Sequence, residues 1–242
     1  MKISILGVEI SQIDLPGTIG IISKWLGQED QHLLATVNPE FVVAAQKDRE
    51  FKDILNGNEI NTCDGSGLVW ASEFLYRKKL TKVTGVDLAE KLLTSKEDEI
   101  KIFLLGGEGT AEKVREKFPE RTVDFSSGGK LDADLRFSDQ EKILEQIRES
   151  RANILFVALP QVKQVKWIKR NLSSIPSVKA AIVLGGTFDY LSGRIKRAPK
   201  IMRTMGLEWL FRLVSQPSRI GRIYNATVKF TFLILKEKWK NK

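Results

Sequence analysis

Short runs of consecutive apolar residues alternate along the chain with segments in which apolar residues recur every three or four positions. The first pattern is typical of strands buried on both faces of a sheet, and the second of helices that cover such a sheet. Their repeated order predicts an α/β fold: a Rossmann-like, mostly parallel sheet flanked by helices. The predicted strands are Met1–Val8, His32–Val37, Glu59–Cys63, Ile100–Leu105, Ala152–Leu159 and Val178–Leu184.

The helical segments begin after turns that contain Gly, Pro, Asn or Asp, which are the residues that commonly start or stop a helix. The predicted helices are Leu15–Gly27, Phe41–Leu55, Leu68–Tyr76, Leu88–Leu93, Thr110–Phe118, Asp139–Ser150 and Gln161–Asn171. Parallel strands all end at one edge of their sheet, and ligands bind there. Polar residues that directly follow the strands are therefore expected to line one rim.

Asp64 is the first candidate on this rim. It separates the strand Glu59–Cys63 from Gly65 and Gly67, and a helix begins at Leu68. A helix N-terminus favours anions, and glycines let a ligand approach the backbone closely. The alternative is that Asp64 only caps the helix and the glycines only make the turn.

Thr36, Asn38 and Glu40 follow the preceding strand. Their hydroxyl, amide and carboxylate groups are suited to hydrogen-bond a polyhydroxylated ligand. The alternative is that Asn38 caps the next helix, with Pro39 at its first position.

Glycine pairs follow two further strands, Gly106-Gly107 and Gly185-Gly186. With Gly109, the first pair resembles part of a dinucleotide-binding turn, but it lacks the full G-x-G-x-x-G spacing. It indicates a pocket for a nucleotide diphosphate without naming the nucleotide.

Cys63 is the single cysteine and His32 the single histidine. These counts exclude an internal disulfide, zinc fingers and His-pair metal sites, and they fit a reducing, cytosolic compartment. No cofactor is expected.

The net charge of +9 is concentrated at the C-terminus. Residues 194–242 hold 13 Lys and Arg against two Glu, which gives this tail +11 and leaves −2 for residues 1–193. We therefore expect two parts: an α/β core over residues 1–193 and a helical, basic, amphipathic appendage over residues 194–242. Such a tail suits nucleic acid, an anionic membrane surface or an acidic partner.

The apolar residues of the tail form stripes, first over Ile201–Val214 and then beyond Pro217, each edged by Arg or Lys. No uninterrupted apolar run reaches the roughly 20 residues that a bilayer span requires. This pattern favours helices that lie in a membrane interface. The alternative is an amphipathic pair packed on its own core or on a sister subunit. An exposed apolar tail also predicts a homo-oligomer in solution.

The ordered motifs together resemble one family, the WecG/TagA/CpsF bacterial glycosyltransferases, over essentially the whole chain. The motifs are Thr36-x-Asn38-Pro39-Glu40, Asp64-Gly65-x-Gly67, Thr84-Gly85-x-Asp87-Leu88, Gly185-Gly186-x-Phe188-Asp189, Ser192-Gly193, Arg197-Ala198-Pro199 and Gly206-Leu207-Glu208-Trp209-Leu210. The resemblance implies inverting, metal-independent transfer from a UDP-N-acetylhexosamine donor to a polyprenyl-diphosphate-linked acceptor. It implies work at the cytoplasmic face of the cell membrane, in wall teichoic acid synthesis, with the appendage on the membrane.

The resemblance also implies roles for individual residues. Asp64 would be the general base, with Thr36 and Asn38 near the sugar and acceptor. The residues expected at the donor nucleotide are Gly106, Gly107, Gln164, Gly185, Gly186 and Asp189. The residues expected at the diphosphate and lipid are Arg212, Arg219 and Arg222.

The chain departs from the family pattern in two places. The family usually has Gly-x-Pro-x-Gln-Glu-x-Trp where this chain has the segment 160–167, which keeps Gln164 and Trp167 but lacks the glycine, the proline and the glutamate. Lys82 stands where an arginine is usual. These departures leave the donor sugar open, including another UDP-sugar used for polysaccharide synthesis.

Two other functions are weighed against the transferase. A non-catalytic nucleotide or nucleic-acid binder would use the basic tail, but the tail aromatics lie in apolar stripes rather than on an exposed platform between charges, so no nucleic-acid partner is expected. A Rossmann-type oxidoreductase is disfavoured by the incomplete glycine fingerprint.

Overall fold

The computed structural model describes residues 1–240 and contains a six-stranded, fully parallel sheet flanked by helices. The strands are β1 (Lys2–Ile5), β2 (Val8–Ser11), β3 (His32–Val37), β4 (Ile60–Cys63), β5 (Ile102–Gly106), β6 (Thr122–Ser126), β7 (Ile154–Ala158) and β8 (Ala180–Val183). The order in the sheet is β4-β3-β8-β7-β5-β6. The predicted α/β fold class is confirmed.

Helices cover both faces of the sheet and continue into the tail. The helices of residues 1–193 are α1 (Leu15–Leu26), α2 (Pro39–Ala45), α3 (Arg49–Gly57), α4 (Ser66–Tyr76), α5 (Gly85–Leu93), α6 (Ala111–Lys117), α7 (Gln140–Ser150), α8 (Gln161–Asn171) and α9 (Thr187–Leu191). The tail helices are α10 (Lys200–Thr204), α11 (Glu208–Ser215), α12 (Ile220–Tyr224) and α13 (Phe230–Lys240). A π-helical segment, Asn225–Lys229, joins α12 to α13.

The N-terminal segment differs from its prediction as one strand of the sheet. It forms a separate antiparallel hairpin of β1 and β2. Leu6 and Gly7 both have positive φ, 51° and 77°, which makes the tight turn that single-strand periodicity does not reveal. Buried Asn61 fixes the hairpin to the sheet by donating to the Glu9 carbonyl at 2.8 Å.

One predicted helix was wrong in detail, and one strand was missed. The predicted helix Phe41–Leu55 is interrupted, because the Asp48 side chain accepts a hydrogen bond from the Phe51 N–H at 3.0 Å and thereby starts a new helix. Strand β6 was not predicted. It is an edge strand of mixed polarity, so it lacks the continuous apolar run of the buried strands.

The tail is irregular at its start and regular at its end. The stripe Ile201–Val214 is not one helix, because Gly206, with φ of 75°, ends the helical path between α10 and α11. In α13, Phe230 and Ile234 are 1% and 0% exposed and belong to the principal core cluster. The boundary at residue 193 stays a prediction, and Asn241 and Lys242 of the predicted appendage lie outside the described residues.

Candidate active site

A cavity of about 490 Å³ opens at the carboxyl edge of the sheet, between the loops that follow β3 and β4 and the tail. Its polar lining residues are Asn38, Glu40, Asp64, Ser66, Glu208, Arg212, Arg219, Arg222, Thr227 and Thr231. Its apolar wall includes Pro39, Trp70, Met205, Trp209, Ile223, Ala226 and Phe230. The predicted catalytic residues Asp64 and Asn38 thus meet the three predicted arginines of the tail in one space.

Asp64 is presented to this cavity by the end of β4. Its backbone N–H donates to the Val37 carbonyl at 2.7 Å, which extends the sheet pairing by one residue. The residue at the N-cap of α4 is Gly65, with φ of 123°, and no side chain caps this helix. The alternative prediction, a helix-capping role for Asp64, is therefore wrong, and its carboxylate is available for chemistry.

The electrostatic surroundings of Asp64 suit a base that works near neutral pH. Burial raises the pKa of Asp64 to about 6, although the side chain keeps part of its surface open to the cavity. Arg212 lowers this pKa, Glu208 raises it, and Lys82 and a hydrogen bond from the Gly85 amide lower it. At pH 7 the carboxylate is thus mostly ionised while its conjugate acid is weak enough to hold a proton.

Each tail arginine at the cavity is paired with a carboxylate. Arg212 binds Glu208 at 2.8 Å, one helical turn earlier in α11. Arg219 binds Asp189 at 3.3 Å.

Arg222 holds Glu40 with two guanidinium nitrogens, at 2.9 and 3.0 Å, across 182 residues of sequence. Such bidentate geometry suits phosphate groups as well as carboxylates. The Arg222 guanidinium, which here binds Glu40, therefore has the geometry required to bind a diphosphate.

Arg197 gives the tail a further attachment to the core. Its guanidinium pairs with Asp87 at 2.7 Å and donates to the Thr84 hydroxyl at 3.2 Å. The Thr84 hydroxyl in turn donates to Asp87 at 2.6 Å. The Arg-Ala-Pro and Thr-Gly-x-Asp motifs thus meet. Gly85 of the second motif donates its backbone N–H to the Asp64 carboxylate.

Thr36 and Asn38 already have local partners. The Thr36 hydroxyl is buried and donates to the Val183 carbonyl at 2.8 Å, which ties β3 to β8. Asn38 caps α2, because its side-chain oxygen accepts from the Phe41 N–H at 3.1 Å. The capping alternative is confirmed for Asn38, and the residue also lines the cavity.

The glycine turns at β5 are explained by packing inside the chain. A Cβ on Gly106 would lie 2.4 Å from the Ala158 carbonyl oxygen, and one on Gly107 would lie 2.5 Å from the Phe188 ring. These glycines lie outside the lining of the 490 Å³ cavity. Their contact with a nucleotide stays a prediction.

Gln164 and the second glycine turn lie together. The side-chain oxygen of buried Gln164 accepts from the Gly185 N–H at 3.1 Å. A Cβ on Gly186 would lie 3.6 Å from the Arg219 guanidinium. Asp189 is 6% exposed and is held by both Arg194 and Arg219. This geometry links the predicted donor turn to the cavity through Arg219.

The buried Cys63 thiol, next to Asp64 in sequence, lies outside the proposed machinery. Burial, with Asp64 adjacent, raises the pKa of the Cys63 thiol to about 12, so this thiol is not a nucleophile at neutral pH. Within residues 1–240, no group of three or more His, Cys, Asp or Glu side chains is arranged to hold a metal ion.

Comparison with known proteins identifies the family of the chain. Residues 3–242 match the glycosyl transferase WecG/TagA/CpsF family. The chain belongs to this family. It is 31% identical over 224 residues to the N-acetylglucosaminyldiphosphoundecaprenol N-acetyl-beta-D-mannosaminyltransferase of Bacillus subtilis (strain 168), an alignment that covers 90% of this chain and 84% of that protein. As a WecG/TagA/CpsF member, the chain is a glycosyltransferase.

Some residues in and next to the cavity of this glycosyltransferase were missed by sequence reasoning. Glu208, which lines the cavity, could have been found, because it stands four residues before Arg212 and pairs with it. Tyr190 lies behind the lining, with its ring centre 5.2 Å from the Arg212 guanidinium, and no sequence pattern indicates this contact. Trp70 was read only as part of a helix, since nothing in its spacing shows that the tail lies opposite.

A larger cavity, of about 710 Å³, opens at the opposite edge of the sheet and is lined by residues such as His32, Asp53 and Glu59. None of the predicted site residues lines it. The carboxyl-edge cavity is therefore the candidate active site of this WecG/TagA/CpsF protein despite its smaller volume.

Proposed function

We propose that the protein transfers N-acetylmannosamine from UDP-N-acetylmannosamine to undecaprenyl-diphosphate-linked N-acetylglucosamine, in the synthesis of the teichoic acid linkage unit. The observation that carries the proposal is one cavity in which the Asp64 carboxylate faces Arg212, Arg219 and Arg222. The activity for which the Bacillus subtilis relative is named supports the choice of substrates.

In the proposed reaction Asp64 acts as the general base. It takes the proton of the acceptor 4-hydroxyl while that oxygen attacks the anomeric carbon of the donor, and the bond to UDP breaks with inversion. The electron pair leaves with the diphosphate of UDP. A pKa of about 6 supports this role, because it keeps Asp64 ionised at neutral pH and basic enough to accept the proton.

The tail arginines are proposed to meet diphosphate charge. A diphosphate in the cavity would share or replace Glu208, Asp189 and Glu40 as their partner. Guanidinium groups that already point into a partly enclosed site stabilise developing negative charge without large rearrangement.

The sugar contacts are proposed from the remaining groups at the rim. The Asn38 amide can donate to a sugar hydroxyl. Thr36 is 4% exposed and does not line the cavity, so its proposed role is to hold the end of β3 beside β8 under the site. The donor nucleotide would follow the turns at Gly106, Gly107, Gly185 and Gly186, with Gln164 holding the Gly185 amide. Asp189 would help by holding Arg219 in place through their ion pair.

Membrane association through the tail is proposed as well, at the cytoplasmic face of the cell membrane. Its large exposed apolar side chains include Ile201, Val214, Ile220, Phe232 and Trp239, at 64–77% exposed. The same segment carries a charge of +11 over residues 194–242. None of the helices within residues 1–240 has the length and apolarity to cross a bilayer.

Without lipid, the exposed apolar surface is proposed to drive self-association into a homo-oligomer. Sedimentation velocity with and without a non-ionic detergent tests this proposal. A concentration-independent monomer in buffer would contradict it.

The test of the reaction is UDP release from UDP-N-acetylmannosamine with a lipid-diphosphate N-acetylglucosamine acceptor. We expect Asp64→Asn to lower the rate by about 10²–10⁴-fold, the usual contribution of a positioned base. The variant should also unfold at a higher temperature at pH 7.5, since a pKa raised on folding means that the ionised carboxylate destabilises the fold above that pKa. Full activity in Asp64→Asn would remove the base assignment.

A second donor is favoured by one observation, the altered segment 160–167 that contains Gln164. Parallel assays with UDP-N-acetylglucosamine and UDP-glucose decide between donors. Turnover with one of these and none with UDP-N-acetylmannosamine would keep the transferase and replace its sugar.

A further inference from the structure

Helix α4 carries three large aromatic side chains that are exposed although the helix flanks the sheet. Trp70, Phe74 and Tyr76 are 39%, 37% and 41% exposed. Among residues 2–200 no other large apolar side chain is exposed to this degree. The rings of Trp70 and Phe74 stack with their centres 5.3 Å apart. Trp70 and Phe74 stand four residues apart on α4 and so share one face of the helix, whereas Tyr76 lies on another side near its end. An exposed aromatic patch of this kind on an otherwise polar core marks an interaction surface.

The patch is continuous with the tail at both ends. Trp70 lines the candidate active-site cavity opposite Trp209 of α11. At the other end, the Lys238 ammonium of α13 donates to the Phe74 carbonyl at 2.9 Å and lies 5.5 Å from the centre of the Phe74 ring. The aromatic face of α4 thus connects the cavity mouth with the exposed end of α13, where Trp239 is 75% exposed.

Three basic residues, Arg77, Lys78 and Lys79, follow the patch directly and are all exposed. Within residues 1–240 none of them forms an ion pair in the structure. An aromatic strip beside unpaired cations matches a bilayer with anionic headgroups, where rings lie at the interface and cations meet the lipid charge.

We propose that the Trp70–Phe74 face of α4 and the basic triplet Arg77-Lys78-Lys79 form a core part of the surface that rests on an anionic bilayer. This inference rests on the membrane association proposed above and extends it beyond the tail. It has a consequence for access: Trp70 at the cavity rim contacts lipid, so the cavity opens toward the bilayer and a lipid-linked acceptor reaches Asp64 without leaving it.

The first experiment uses Trp70 as a reporter of depth. The variant Trp209→Phe/Trp239→Phe keeps Trp70 as an exposed tryptophan, while Trp25 and Trp167 are 2% and 0% exposed. Phosphatidylglycerol vesicles with brominated acyl chains should quench its fluorescence. The quenching should disappear when Trp70→Phe is added.

The second experiment removes the charge of the triplet. Arg77→Gln/Lys78→Gln/Lys79→Gln should raise the dissociation constant for phosphatidylglycerol vesicles by at least about fivefold. The matched control is Lys91→Gln/Lys96→Gln/Lys101→Gln, which removes the same charge from exposed positions around the end of α5 and the start of β5. The control should bind as the native protein does.

The outcomes separate this inference from the proposals on which it rests. If the native protein does not co-sediment with vesicles, the membrane proposal fails and this inference fails with it. If it co-sediments but Trp70 is not quenched and the two triple variants bind alike, this inference is overturned and the tail proposal stands.

Trp70 could instead be shielded in a dimer in solution and stay shielded when vesicles are added. This result would assign the patch to a second copy of the chain and would also overturn the inference. UDP release with a detergent-solubilised acceptor tests the transferase independently of vesicles.

Discussion

The tail is attached to the core in two different ways. Its last helix, α13, is anchored by apolar packing, with Phe230 and Ile234 buried in the principal core cluster. The segment before it is held mainly by ion pairs, such as Arg222 with Glu40 at 2.9 Å, and leaves apolar side chains such as Val214 exposed.

This difference suits a segment that must meet a charged substrate. Apolar burial is non-directional and is lost only if the helix leaves the core. An arginine guanidinium, in contrast, can exchange a carboxylate for a phosphate at little cost, because both groups offer paired oxygens to its N–H donors. The buried packing of α13 therefore keeps the arginines near the cavity. The ion pairs hold their guanidinium groups in positions where a diphosphate can replace the carboxylates.

The largest predicted effect tests the anchor. Ile234→Ala should lower the free energy of unfolding by about 2–5 kcal/mol, because it leaves a cavity in a core position that is 0% exposed. The melting temperature should fall by about 2–4 °C for each kcal/mol in a chain of this size. Thermal denaturation followed by circular dichroism measures the change.

Its neighbour provides the matched control. Leu235→Ala removes a similar side chain that is 38% exposed, and it should cost much less. Equal melting temperatures for the two variants would mean that α13 is not anchored in solution.

The second prediction tests the ion pairs. Glu40→Gln should change the melting temperature little, because the Arg222 side chain is 52% exposed and glutamine keeps the size and hydrogen-bonding oxygen of Glu40, which is 15% exposed. It should raise the KM for the lipid-linked acceptor by about tenfold, since Arg222 is no longer held at the cavity wall. Steady-state UDP release at varied acceptor concentration gives both constants.

Glu50→Gln is its control. Glu50 pairs with Lys166 at 2.6 Å on a surface away from the cavity. If both substitutions change the KM equally, the Glu40–Arg222 pair has no special role in the site.

The sequence predicted the parts of the molecule whose signal is local. Continuous apolar runs marked the four central strands, β3, β8, β7 and β5, because strands buried on both faces need no polar alternation. The edge strand β6 and the N-terminal hairpin were missed or misread, since their pairing depends on partners and turn geometry that periodicity does not encode.

The candidate site likewise combines local features that the sequence reveals with long-range contacts that it does not. Asp64 could be singled out because a strand, two glycines and a helix follow one another in the sequence. The bond between Glu40 and Arg222 joins positions 182 residues apart, so no spacing rule can find it. Likewise, the requirement for glycine at position 106 comes from the Ala158 carbonyl of a neighbouring strand.

The smallest predicted effect tests how the tail tunes the base. Below pH 7, kcat/KM of the native protein should fall with a pKa of about 6, the value to which burial raises Asp64. Glu208 also raises this pKa, so Glu208→Gln should move the acid limb to lower pH. Lys82 lowers it, so Lys82→Gln should move the limb to higher pH. Opposite shifts in the two variants would show that a charge of the tail and a charge of the core act on the same carboxylate. If the pH profiles of both variants coincide with the native profile, the titrating base is not Asp64.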